Sequence, residues 1–244
     1  MISHKAFLTE NMEIRQYYGR TSNIYLIISR ETQETYLVDC GVPSDTRGLL
    51  AVLNSLPPLK RVLVTHFHVD HITGWITLKK AYPQAEIWFH QKARPLVDGR
   101  ERILFPSLSD FLEIIYPCVK AYGFLPGMRD ILQGGRYGTP FKAGFPADRV
   151  RYFSEYQEVL PGFTTFHTPG HRSDSVSFLH PGSGVFLTGD FLLVMHGLVV
   201  VNSYVFCKKA QEKSVNKIKQ VKSIQYIYPG HGRCIPFDVT DLST

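Results

Sequence analysis

The chain has 244 residues, 44% of them apolar, a formal net charge of +6 and four cysteines. That composition supplies a sizeable core for one enzyme-sized domain. Cys40, Cys118, Cys207 and Cys234 are too widely spaced for a disulfide scaffold or a CxxC zinc knuckle, and are expected to be free thiols. No apolar run reaches the length of a membrane span, and residues 1–5 lack the apolar stretch of a secretory signal, so a soluble cytoplasmic protein is expected.

Taken in chain order, β-branched and aromatic runs predict strands over 23–29, 34–39, 61–65 and 85–90, then over 164–167, 175–179, 184–188 and 224–228. Helical spacing falls between them. Leu49, Leu50, Val52 and Leu53 mark a helix over 45–55, and Val215, Ile218 and Val221 mark one over 208–223. The second carries Lys208, Lys209, Lys213, Lys217, Lys219 and Lys222 with only Glu212 opposing them. Such a patch could attract phosphate, but it reads first as a solvated helix face and lacks the interleaved aromatics of a single-strand platform.

Residues 91–151 form a longer connection than a simple strand link needs, which marks an insertion. Its first half is apolar, with Phe105, Leu108, Phe111, Leu112, Ile114, Ile115, Tyr116, Tyr122, Phe124 and Leu125, and predicts helix. Its second half, 133–140, is rich in turn residues and includes Tyr137. A lid that recognises an acyl or aromatic group and a surface for a homodimer are both open readings.

The chemistry sits at the strand ends. Thr65-His66-Phe67-His68-Val69-Asp70-His71 follows the apolar run 61–64, and three later strands end at His171, Asp190 and His231. Five imidazoles and two carboxylates suit zinc, iron or manganese, and exceed what one ion with an open position can use. Two ions are expected. In a two-metal site about 3.5–4 Å across, a shared water is acidified from about 15.7 toward about 7 and becomes a hydroxide nucleophile. His90, His167 and His180 read as satisfied strand-end or surface residues, and His4 as part of a loose terminus. His196, six residues beyond Asp190, and Tyr137 are kept as candidate substrate contacts.

The series His66-x-His68-x-Asp70-His71, then His171, Asp190 and His231, resembles the ligand series of the metallo-β-lactamase-fold hydrolases. The resemblance runs from about residue 23 through the 36–41 segment to the end of the 229–232 segment. It implies an α/β fold, a four-layer αββα sandwich, formed by residues 1–244 as one domain with 91–151 as a helical lid-like insertion. It implies His66, His68 and His171 on one ion, Asp70, His71 and His231 on the other, and Asp190 bridging them. Asp39 would support a ligand from behind. Asp70 and Asp190 would be the catalytic carboxylates, and the cofactor two divalent ions, zinc foremost with iron or manganese as alternatives.

Within that family the short stretch after His231 weighs against a glutathione thioesterase, and His68 stands where diiron oxygen reductases carry Glu. Class B1 β-lactamases carry Cys near the Asp190 position. What remains resembles the glyoxalase II and lactonase-like general hydrolase branch. The expected activity is attack on an ester, thioester or lactone carbonyl by a metal-bound hydroxide, with a small acyl or aromatic, and anionic, substrate. No Gly-x-Ser-x-Gly elbow is present. A metal-dependent phosphodiesterase or nuclease is the alternative activity, although nucleic acid is disfavoured as a partner. A non-catalytic metal-stabilised binding protein is the alternative without turnover.

Overall fold

The computed structural model describes residues 5–103, 108–110, 112, 116, 128–134, 137, 139, 142, 144–238 and 242. Seven strands form the first sheet in sequential order: β1 (Lys5–Leu8), β2 (Met12–Tyr18), β3 (Asn23–Ser29), β4 (Glu34–Val38), β5 (Leu59–Leu63), β6 (Glu86–His90) and β7 (Val150–Phe153). The second sheet runs in the order β14 (Ile235–Pro236), β13 (Tyr226–Pro229), β10 (Val185–Gly189), β9 (Val176–His180) and β8 (Thr164–His167). A hairpin of β11 (Leu192–Met195) and β12 (Leu198–Val201) stands beside it.

Strand alternation builds four layers. On β3, Ile24, Leu26 and Ile28 join one core while Tyr25 and Ile27 join another; on β10, Val185 and Leu187 face that second core and Phe186 a third. The second core is therefore the seam between the sheets, where Leu63, Phe153, Phe178 and Tyr228 meet. The period of two that separates these faces is the pleat itself. Helices α1 (Thr46–Leu53), α3 (Trp75–Ala81) and α4 (Arg94–Val97) cover the outer face of the first sheet through Leu49, Trp75, Leu78 and Leu96. The helix Lys208–Ile218 covers the second sheet through Val215 and Ile218. Burial of a side chain such as Trp75 or Phe178 stabilises by roughly 1.5–3 kcal/mol each.

The eight expected strands all form, with ends shifted by at most two residues. Strands β1, β2, β7, β11, β12 and β14 were not expected. The 91–151 segment begins and ends as part of the domain: Ala93, Leu96, Val97, Ile103 and Phe145 pack in the first core, and Val150–Phe153 pairs in parallel with β6. Between these ends, Phe105, Phe111, Ile114, Ile115, Tyr122, Phe124 and Leu125 lie outside the described residues. The helix Met128–Gly134 is tied back to the domain by Asp130, whose Oδ1 accepts from Ser44 N–H at 2.8 Å and whose Oδ2 accepts from Ser44 Oγ at 2.5 Å. Among the described residues no helix is long and apolar enough to cross a membrane.

Candidate metal centre

Topology brings four strand ends to one edge of the sandwich. His66 and His68 follow β5, Asp70 and His71 lie on the short helix α2 (Val69–Ile72), and His171, Asp190 and His231 follow β8, β10 and β13. The two sheets are laced together at this edge: Val176 N–H donates to Thr65 O at 2.8 Å, and Gly230 N–H to Gly189 O at 2.7 Å. From β3, Asn23 N–H donates to Gly230 O at 2.7 Å, and its side-chain amide to Pro229 O at 2.9 Å and Gly232 O at 2.7 Å, so the His231 turn is held from both sides.

The side chains converge into two groups that could each hold a metal ion. His66, His68, His171 and Asp190 form one, and Asp70, His71 and His231 the other, with one ligand atom per residue and all atoms of a group within 4.8 Å of one another. In the first, His68 Nδ1 stands 2.9 Å from His66 Nε2 and 3.1 Å from His171 Nε2. In the second, Asp70 Oδ2 lies 3.7 Å from His71 Nε2 and 3.6 Å from His231 Nε2. Asp190 touches both groups. Its Oδ2 is 3.6 Å from His171 Nε2 and 3.3 Å from His231 Nε2, while its Oδ1 is 3.4 Å from His71 Nε2.

Hydrogen bonds behind the ring assign which nitrogen faces inward. His71 Nδ1 lies 2.7 Å from Asp39 Oδ2 and donates to it, which leaves Nε2 for the site. Thr65 Oγ1 donates to the same carboxylate oxygen at 2.8 Å, so it is free to accept from His66 Nδ1 at 3.0 Å. His171 Nδ1 donates to Tyr204 O at 2.6 Å. His66 and His171 thus both turn an Nε2 lone pair toward His68 Nδ1, which can donate to only one of them. Facing lone pairs in a buried pocket ask for a cation between them. Asp39 reaches both groups through Thr65 and His71, and holds a left-handed backbone conformation at φ +61°, uncommon outside glycine though better tolerated by aspartate than by most residues.

The charges agree with this geometry. Burial, with help from neighbouring imidazoles, pushes His66 and His68 well below the ordinary histidine range, and burial also lowers His171 against the pull of Asp190. These three are neutral, the form that ligates. Burial opposes a charged His71 as well, but Asp70, Asp39 and Asp190 outweigh it and raise the group to about 10. The carboxylates therefore call for positive charge at His71 Nε2. That nitrogen and Asp190 Oδ1 are buried and make no hydrogen bond among the described residues. A Cβ on Gly230 would stand 2.2 Å from Asp190 Oδ1 and 3.0 Å from His71 Cε1, so only bare backbone lets this turn approach the donors. By donor type, orientation and charge, the set fits divalent ions.

Two of the expected contacts stand apart. His196 is exposed at the tip of the β11–β12 hairpin with φ +52°, and Tyr137 packs on the first core near Phe145, ring centroids 6.3 Å apart. Other residues at the site escaped the sequence reading. Tyr204 supplies the carbonyl for His171 and stacks its ring on His68 at 6.4 Å and 16°. Asn202 is buried and donates to Asp190 O at 2.9 Å. Asp174 Oδ2 accepts from Phe67 N–H at 2.8 Å and so shapes the His66–His68 loop. Thr65 was legible beside the motif, but only its position between Asp39 and His66 gives it a role.

A family model described as the metallo-beta-lactamase superfamily matches residues 17–231. The chain belongs to the metallo-beta-lactamase superfamily. Among curated relatives, the uncharacterized protein YobT of Bacillus subtilis is 25% identical over 182 residues, covering 73% of this chain and 65% of that protein. Hydroxyacylglutathione hydrolase GloC of Haemophilus influenzae is 28% identical over 138 residues, covering 55% of this chain and 50% of that one. The matches thus span about half to two thirds of these relatives' length. Among solved structures, TTHA1623 in a di-iron-bound form superposes with a TM-score of 0.60 at 24% identity over 96% of this chain and 94% of that one. ETHE1 from Myxococcus xanthus gives 0.53 at 21% identity over 97% and 80%. These structural likenesses carry the fold.

Proposed function

We propose that this protein is a dinuclear metal-dependent hydrolase of an ester, thioester or lactone. The observation that carries the reading is the single carboxylate of Asp190, which lies within 3.8 Å of imidazole nitrogens from both ligand groups. His66, His68 and His171 would hold one ion, Asp70, His71 and His231 the second, and Asp190 both. Two such ions acidify a water and polarise a carbonyl oxygen when bound. Zinc, iron and manganese all fit imidazole and carboxylate donors, and the di-iron form of TTHA1623 keeps iron in contention for this chain.

The chain's own groups do the remaining work. Asp39 and Thr65 fix the ring orientations of His66 and His71, so the donors stand ready without rearrangement. Asp70 is the more exposed carboxylate of the site, its side chain 20% accessible against 8% for Asp190, so it faces arriving substrate. Its second oxygen, Oδ1, left over when Oδ2 serves the ligand group, would accept the proton of the attacking water and return it to the leaving group. Ser22 Oγ donates to Asp70 O at 2.6 Å and holds that residue's backbone in place. The name of the Haemophilus relative supports a thioester, and keeps an acylated glutathione among the candidates. The helix Met128–Gly134 would serve as part of a cover for the substrate, a reading supported by the Asp130–Ser44 clasp five residues from Asp39.

Hydrolysis of acyl-thioesters, lactones and phosphodiesters by the metal-loaded and the chelated protein tests this proposal. Chelator-sensitive hydrolysis of a carbonyl substrate is the expected result. Turnover of phosphodiesters alone would replace it with the phosphodiesterase reading, and no turnover after reloading with metal would leave a metal-stabilised binding protein.

A further inference from the structure

The residue after His171 is Arg172, and it is 8% exposed. A guanidinium carries five N–H donors, and burying such a charge without acceptors is costly. Among the described residues no protein atom accepts a hydrogen bond from it, and its Nε is fully enclosed. Asp174 is its ion-pair partner at a distance too long for a hydrogen bond: Oδ1, itself buried without one, is 3.9 Å from Arg172 Nε, and Oδ2 is engaged by Phe67 N–H. The guanidinium carbon lies over the ring of Phe206, 5.8 Å from its centroid. Phe206 is 63% exposed, and its N–H donates to His171 O at 3.3 Å, so its backbone lies against a residue of the first ligand group, next to Arg172 in the chain.

The turn that carries Arg172 is held in place. Its N–H donates to Ser175 Oγ at 3.2 Å, its carbonyl accepts from Gly170 N–H at 3.2 Å, and Gly170 sits so close to the helix Lys208–Ile218 that a Cβ there would stand 1.8 Å from Gln211 Oε1. A fixed backbone, a hydrogen-bond-free cation and two aromatic rings, Phe206 and Tyr204, describe a recognition corner beside the reacting centre. We infer that Arg172 binds an anionic group of the substrate, a carboxylate or phosphate, and makes the enzyme selective for acidic esters or thioesters. This rests on the carbonyl-hydrolase reading, from which its test is separable.

Two matched thioester pairs test it: succinyl against butyryl on a common neutral thiol, and a butyryl group on 3-mercaptopropionate against its amide. The metal-loaded wild type is expected to favour the acidic member of at least one pair by about tenfold or more in kcat/KM, the scale of a charge-assisted hydrogen bond. In Arg172→Met that ratio falls toward one, with the change in KM, and Arg172→Lys recovers part of it. A wild-type ratio near one in both pairs, or a ratio that survives in Arg172→Met, overturns the inference. If the wild type turns over none of the four, the thioesterase form of the hydrolase reading fails, and calorimetry with succinate and with inorganic phosphate decides the anion site alone. Binding at least about tenfold weaker in Arg172→Met than in wild type upholds it, and equal binding overturns it. The tighter of the two anions identifies the group.

Discussion

Two clusters of buried and half-buried histidine stand at the same end of these sheets, and they differ in what their nitrogens face. At the ligand edge His66 and His171 both turn Nε2 toward His68 Nδ1, which can donate to only one of them, with Asp190 beside them and the outer nitrogens of His66 and His171 hydrogen-bonded behind. At the ends of β6 and β8, His90 and His167 stack face to face, centroids 4.4 Å apart at 24°. There His167 Nε2 donates to Ser173 O at 2.9 Å, and its backbone is tied into the Glu155–Lys217 pair. Burial alone therefore does not make imidazoles into a metal site. Convergent nitrogens facing a carboxylate do, and a stacked pair is structure.

The sharpest break in this comparison is Asp190→Asn, which keeps the shape but removes the charge facing both groups. We expect metal content to fall and kcat/KM to drop by at least about 10²–10³-fold, the cost of losing one charge-stabilising group, checked by metal analysis alongside kinetics. An unchanged metal count and rate would end the assigned role.

The structural pair should respond to pH instead. Burial, aided by His167, lowers His90 from 6.5 to about 4. With the folded value below the unfolded one, the unfolded chain binds the extra proton between them. The contribution of His90 is thus fully present above pH 6.5 and lost as pH falls toward 4, by up to ~3 kcal/mol. His90→Phe keeps a ring and removes this titration. Urea denaturation at pH 7 and pH 5 should show wild type losing more stability than the variant, and parallel losses would refute the assignment.

Smaller effects belong to the supports. Asp39→Asn loses the acceptor shared by Thr65 and His71, and should weaken metal binding by about 10–100-fold in a chelator competition. Equal affinity would show that the rings orient themselves. Ser44→Ala removes one of two bonds to Asp130, and should raise KM with a stability cost of about 1 kcal/mol. A variant with unaltered KM would separate the clasp from substrate binding.

The convergent cluster was also the readable one. His66, His68, Asp70, His71, His171, Asp190 and His231 each follow an apolar run, and a strand that ends in a ligand leaves a local mark on sequence. The buried seam strands β3, β4 and β10 were legible for the same reason, being continuous apolar or β-branched runs. Strand β2 was not, because Glu13 and Gln16 interrupt it; both are buried, and Gln16 donates to Gly232 O across the sandwich at 3.3 Å. Strand β7 hid at the end of the long 91–151 segment. Asn202 and Tyr204 were invisible as site residues because their partner, His171, is some thirty residues away and meets them only after the second sheet forms. Arg172 stood in plain view beside His171, yet only its burial and its lack of acceptors set it apart.

The most direct test of the central claim is the number of ions the wild-type chain holds, measured by titrating metal into chelated protein while following released protons. The paired groups predict two ions per chain, and proton release on filling the group that contains His71, since that imidazole is held charged by three carboxylates. Saturation at one ion, or binding without proton release, would contradict a centre shared across Asp190.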